Sequence, residues 1–162
     1  MLDLLLRDAR LVFPRVGERR GGLGVRDGRI AGVYLDGFSP RARRTIDVGG
    51  RALLPGVFDP HIHLGVRADF DEECLTETRA ALRGGITTVG CYLRERGSYV
   101  GRVEAFRDRA ENRLFTDILF HLVVLDPPQI AEIPRCAERY GNPLFKFYMH
   151  AIPELPVMDA GT

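Results

Sequence analysis

The stretch Leu54-Pro55-Gly56-Val57-Phe58-Asp59-Pro60-His61-Ile62-His63 is where the grammar of this sequence changes. Its apolar part reads as a buried-type strand over Ala52 to Asp59, with two alternating imidazoles at its end. Side chains of a strand alternate between faces, so His61 and His63 project to one side while Ile62 turns the other way into packing. Two imidazoles placed in this way can reach one metal ion.

Downstream, strands alternate with helices. Asp71 to Leu82 carries Cys74, Leu75, Thr78, Ala81 and Leu82 at helical spacing, with acids at 71, 72 and 73 suiting its N-terminus and Gly84-Gly85 its end. Ile86 to Leu93 predicts a strand, Tyr99 to Glu111 a helix with Val103, Phe106 and Ala110 on one face, and Ile118 to Val124 another strand. A further helix runs from near Pro128 to Tyr140 and closes at Gly141, with Pro134 predicting a kink or a late start. Leu144 to Met149 makes the fourth strand. Four strands with three intervening helices imply an α/β fold over residues 53–162, with a parallel sheet or part of a barrel.

Upstream, residues 1–52 read as short strands with tight turns: Leu4 to Leu6, Arg10 to Phe13, Leu23 to Val25, Arg29 to Leu35 and Thr45 to Val48. Asp27-Gly28 is a strong hairpin signal, because both central positions of a type I′ turn need positive φ. Gly21-Gly22 and Gly49-Gly50 are expected to punctuate the other strands, and Arg41, Arg43 and Arg44 read as an exposed loop.

Lys146 is the only lysine among 23 Lys and Arg residues, and it sits in the apolar run Leu144-Phe145-Lys146-Phe147-Tyr148-Met149. An arginine is always charged, whereas a lysine in a dry site can lose its proton and react. Strand parity places Lys146, Tyr148 and His150 on one face and leaves Phe145, Phe147 and Met149 for covering helices. In a (β/α) barrel, site residues gather at the C-terminal ends of the strands, where both groups fall in this reading. A neutral lysine can add carbon dioxide to form a carbamate, an anionic ligand able to bridge two divalent metals. A water shared by the two ions would then ionise near neutral pH and attack a polarised amide carbonyl. His121 reads as a core histidine, and His150 as either a group supporting the metal ligands or a loop residue.

The chain of 162 residues is 45% hydrophobic with a net charge of +1, which suits an ordinary globular protein and gives no electrostatic case for nucleic acid or anionic membrane. Three cysteines without zinc-finger spacing, Cys74, Cys91 and Cys136, are expected to be reduced and buried. The start has no basic leader, and no apolar run approaches the ~20 residues that cross a bilayer, so a cytoplasmic location is expected.

These residues together resemble the amidohydrolase superfamily, in particular its hydantoinase, dihydropyrimidinase and dihydroorotase branch. Leu54 to His63 is similar to that branch's first barrel strand with its His-x-His, Thr76 to Val89 to the following helix and strand, and Phe145 to Met149 to the strand with a carboxylated lysine. The resemblance implies the first half of a TIM-type (β/α) barrel, strands one to four over residues 53–162, preceded by a small β-sandwich segment over residues 1–52. It implies His61, His63 and Lys146 as metal residues, Lys146 as a carbamate bridge between two ions, usually zinc, and hydrolysis of a carbon-nitrogen bond in a small cyclic amide or ureide, hydantoin-like or dihydropyrimidine-like. The family's later histidines and catalytic aspartate have no counterpart, so the general base is expected beyond residue 162, and this chain alone is expected to be inactive.

Two further positions bear on substrate. Where hydantoinases place a tyrosine five residues after the lysine, this sequence has Ala151. Where dihydroorotases follow the histidine pair with Leu-Arg, it has Leu64-Gly65-Val66-Arg67, so Arg67 either reaches a substrate carboxylate or lies on the surface. Met158 to Thr162 reads as the start of a segment that continues in relatives. An alternative function is a catalytically silent, dihydropyrimidinase-like scaffold or assembly protein. A half-barrel leaves open strand edges, and a homo-oligomer is expected in either case. A mononuclear metal module built on His61, His63 and His150 is a third reading.

Overall fold

A computed structural model describes residues 1–35, 37–141 and 143–149. The chain divides into two compact units, Met1–Pro55 and Gly56–Thr162.

The first unit is a five-stranded sheet. Strand β1 (Leu2–Phe13) pairs antiparallel with β2 (Gly17–Arg26), which pairs with β3 (Arg29–Leu35). On its other edge β1 runs parallel to β4 (Ala42–Asp47) and β5 (Ala52–Leu53). The expected break between Leu6 and Arg10 is a bulge inside one strand, with Asp8 at φ 50°. Leu2 and Leu5 before it and Ala9 and Leu11 after it are all buried. Asp27 and Gly28 take φ of 50° and 70°, the signs a type I′ turn requires. Gly21-Gly22 is not a turn but lies inside β2.

Pro55-Gly56 interrupts the strand expected from Ala52 to Asp59. Ala52–Leu53 joins the first sheet, and Val57–Ile62 begins the second as β6. There β6 is followed by α1 (Phe70–Arg83), β7 (Ile86–Leu93), α2 (Arg102–Ala110), β8 (Asp117–Val123), α3 (Pro127–Tyr140) and β9 (Phe145–Lys146). The strands pair in parallel in the order β6-β7-β8-β9. Sequential order with a helix between each pair is the winding of a barrel, which puts the helices on one face and leaves the other face for a site.

The helix-covered face holds the core: Cys91 and Leu93 of β7 and Phe120 and Leu122 of β8 pack with Phe70, Cys74, Val103 and Cys136 of the helices. All three cysteines are free and buried. On α1 only Cys74 and Thr78 of the expected apolar face are fully buried, and Leu75 and Leu82 stay exposed. Helix α3 has no late start, because Pro127 and Pro128 occupy its first turn, where no N–H is needed. Buried Gln129 fastens that turn, accepting from the Leu125 and Asp126 N–H groups and donating to the Glu95 and Gly97 carbonyls. Strand β9 is two residues long, shorter than expected, and Phe147 and Met149 are exposed rather than covered by helices.

Candidate metal centre

The histidine strand ends irregularly. Pro60 has no N–H to give its neighbour, and the pairing of β6 with β7 slips between Asp59 and Ile62. The Asp59 carboxylate accepts the His61 N–H at 3.0 Å and steadies this stretch. Ile62 packs on the helix-covered core as parity requires. His61 and His63 share the opposite face, with ring centroids 5.3 Å apart.

Lys146, from β9, reaches the same place: its Nζ lies 3.0 Å from His61 Nε2. Its Nζ also lies 5.5 Å from the Tyr92 ring and 4.8 Å from that of buried Tyr148. His61, His63 and Lys146 are thus brought together. His150, Ala151 and Met158 to Thr162 lie outside the described residues.

The ring chemistry of His63 is set by one bond. Its Nδ1 lies 3.1 Å from the Tyr92 carbonyl oxygen, which only accepts, so Nδ1 carries the proton and Nε2 keeps a free lone pair. Burial lowers the His63 pKa below its usual 6.5, the bond to Tyr92 opposes this, and the nearby Lys146, His61 and Arg94 lower it further. A neutral imidazole with Nδ1–H on a carbonyl is the arrangement that metal-binding histidines adopt. The donor set therefore fits a divalent ion, with His61 and His63 as nitrogen ligands. Among the described residues no cluster of three or more His, Cys, Asp or Glu side chains is arranged to hold an ion, so a third ligand from them would be Lys146.

His121 is buried as expected, yet it belongs to the site's face. Its ring lies 5.0 Å from that of Tyr92, and burial, with His61 adding to it, lowers its pKa. Tyr92 itself, 4.7 Å from His61 and 6.2 Å from His63, is the residue sequence reasoning missed. The signal was present: Val89, Cys91 and Leu93 take the covered face of β7, which leaves Tyr92 for the other.

Arg67 sits in the loop after His63, exposed. Its backbone N–H, with those of Gly65, Val66 and Ala68, is held by the buried Glu73 carboxylate at 2.6 to 3.1 Å. A cleft of about 600 Å³ opens beside this loop, lined by Leu64, Val66, Tyr92, Arg94, Arg96 and Arg109 among others, with Arg67 not among them.

No family model matches the chain. It is 44% identical over 88 residues to the allantoinase of Deinococcus radiodurans, an alignment covering 54% of this chain and 19% of that protein. It is 31% identical over 154 residues to the D-hydantoinase of Ralstonia pickettii, covering 91% and 33%. The L-hydantoinase (dihydropyrimidinase) structure from Arthrobacter aurescens superposes with a TM-score of 0.83 at 27% identity, over 99% of this chain and 36% of that one. The chain thus spans between 19% and 36% of the length of these relatives.

Proposed function

We propose, from the premise that this chain corresponds to the N-terminal portion of the amidohydrolase superfamily, that it supplies the first metal-binding half of a barrel site for hydrolysing a carbon-nitrogen bond in a cyclic amide or ureide. The observation that carries the reading is the approach of Lys146 Nζ to His61 Nε2 at 3.0 Å, beside a His63 whose Nε2 lone pair is free. His61 and His63 would hold a divalent metal, zinc by resemblance, and Lys146 as its carbamate would join a second. A metal bound there would polarise the amide carbonyl and lower the pKa of a neighbouring water. The chain's own residues do the positioning. The Tyr92 carbonyl fixes the tautomer and direction of His63, Asp59 steadies the backbone at His61, and Glu73 fixes the loop that walls the cleft.

Zinc titration by calorimetry tests this reading, together with ¹³C NMR of the chain in labelled bicarbonate. Parent protein is expected to bind zinc and show a carbamate signal. His61→Ala is expected to lose more than about a hundredfold in affinity, since removing a ligand exceeds the effect of removing its supports. Parent protein that leaves zinc free, or Lys146→Met with an unchanged carbamate signal, would overturn the proposal.

A catalytically silent assembly protein is a second reading, favoured by apolar exposure on both outer strands of the sheet. Val57 and Phe58 on β6 and Leu144, Phe147 and Met149 around β9 are all open to solvent. Those faces favour association with a second copy of the chain. Sedimentation combined with the zinc titration separates the readings: self-association without zinc binding is the assembly result.

A further inference from the structure

His121 and His63 flank Tyr92 with opposite ring chemistry. His121 Nδ1 lies 3.0 Å from the Leu144 N–H, which only donates, so Nδ1 is the acceptor and the proton of the neutral ring sits on Nε2. That leaves His121 with no lone pair for a metal, unlike His63. Nε2 is buried and has no hydrogen-bond partner among the described residues, on a side chain with only 5% of its surface exposed. A buried donor without an acceptor is costly and rare in folded proteins.

The atoms around Nε2 show what it serves. Gly90 of β7 lies between β8 and β6, and a Cβ built on it would stand 2.9 Å from His121 Nε2 and 2.7 Å from the Pro60 carbonyl oxygen. The missing side chain is what lets the imidazole face that carbonyl across β7. Pro60 immediately precedes His61, and Leu144 lies two residues before Lys146. One imidazole therefore bonds the backbone beside the lysine and faces, across Gly90, the backbone beside the histidines.

We infer that His121 is a positioning residue of the site, a fixed spacer that accepts from Leu144 on the lysine strand and directs its Nε2–H over Gly90 to the Pro60 carbonyl on the histidine strand. The inference uses the metal reading for one of its two readouts and stands apart from it in the other. His121 acts through backbone, so its removal is expected to loosen the approach of Lys146 to His61 without deleting a ligand.

The first readout is the long-range ¹H–¹⁵N spectrum of the imidazoles in the parent chain. The expected result is His121 with Nε2 protonated, Nδ1 bare and an Nε2–H slow to exchange; an Nδ1–H tautomer, or a freely exchanging Nε2–H, overturns the inference. The second is zinc affinity, expected to fall about 10- to 100-fold in His121→Phe and to stay within a few-fold of parent in His121→Gln, whose amide keeps a donor near the Nε2 position. Folded His121→Phe that binds zinc like the parent overturns it, as does Gln behaving like Phe. Should His121→Phe not fold, Gly90→Ala takes its place, with the same loss expected and parent-like affinity overturning it. Parent protein that binds no zinc would remove the metal reading alone, and the spectrum would still decide the role of His121.

Discussion

Lys146 Nζ and His61 Nε2 meet at 3.0 Å although they belong to the fourth and first strands of the parallel sheet. In a flat sheet three interstrand spacings would hold their backbones roughly 14 Å apart. The curl of the barrel wall and the four-carbon lysyl stem close that gap. The contact is thus a consequence of the winding: a sheet that switched direction, with helices on both faces, would not gather its first and fourth strands around one point.

Removing the lysine charge tests this geometry without any metal. His63 has its pKa below 6.5 because it is buried, and Lys146, His61 and Arg94 lower it further, against the bond to Tyr92. Lys146→Met keeps the apolar stem and deletes one cation, so the NMR titration midpoint of His63 is expected to rise. It should stay below 6.5, since burial is the largest cause. The linkage follows the same sign: unfolded chain takes up a proton near 6.5 that the folded His63 resists, so its contribution to stability grows as pH rises through the window below 6.5. A midpoint that stays put or falls in Lys146→Met contradicts the contact.

Glu73 offers a prediction about the loop. Burial pushes its carboxyl up, but four backbone N–H bonds outweigh this and hold it below the ordinary 4.5. Oε2 serves Gly65 and Val66, and Oε1 serves Arg67 and Ala68. Glu73→Gln turns one acceptor into a donor facing two N–H groups, with an expected loss of about 1–3 kcal/mol in urea unfolding. For the parent, the stabilisation is complete above the unfolded value of 4.5 and is lost as pH falls through the lower folded value. A variant as stable as the parent at pH 7 would contradict the assignment.

How much of this was legible in the sequence depended on range. Alternation read the shared face of His61 and His63, the strand Ile86 to Leu93 and the turn at Asp27-Gly28 from neighbours a few residues apart. The acids at 71 to 73 were legible as a helix start, yet only tertiary structure separates Glu73, folded back on the loop amides, from its solvated neighbours. The bulge at Asp8 looked like a chain break because one polar pair interrupts the apolar run either way. Phe147 and Met149 were given to covering helices on the assumption of a long fourth strand, but β9 ends at Lys146 and parity carries no information past it. His121 looked like core because burial and site membership are not exclusive, and its Nδ1 partner lies 23 residues away.

Arg94 lines the cleft beside the proposed site and Arg67 does not, so Arg94 is the arginine expected to meet a substrate anion there. Of the arginines lining the cleft, Arg96 is paired with Asp126 at 2.9 Å and Arg109 with Asp71 at 2.8 Å and Asp69 at 3.3 Å. Arg94 forms no ion pair among the described residues, and its charge is felt at His63. An uncompensated cation at the wall of a cleft beside the proposed site favours a ring amide bearing a carboxylate over its neutral counterpart. Dihydroorotate and dihydrouracil differ by that group, so NMR titration of the chain with each isolates the effect. Parent protein is expected to bind the carboxylate form more tightly, and Arg94→Gln to erase roughly tenfold of that preference, about 1.4 kcal/mol. Arg67→Gln is expected to leave it unchanged, because Arg67 does not line the cleft. Equal affinities for the two rings in the parent, or a preference that follows Arg67, would return the carboxylate contact to the loop and leave Arg94 a surface residue.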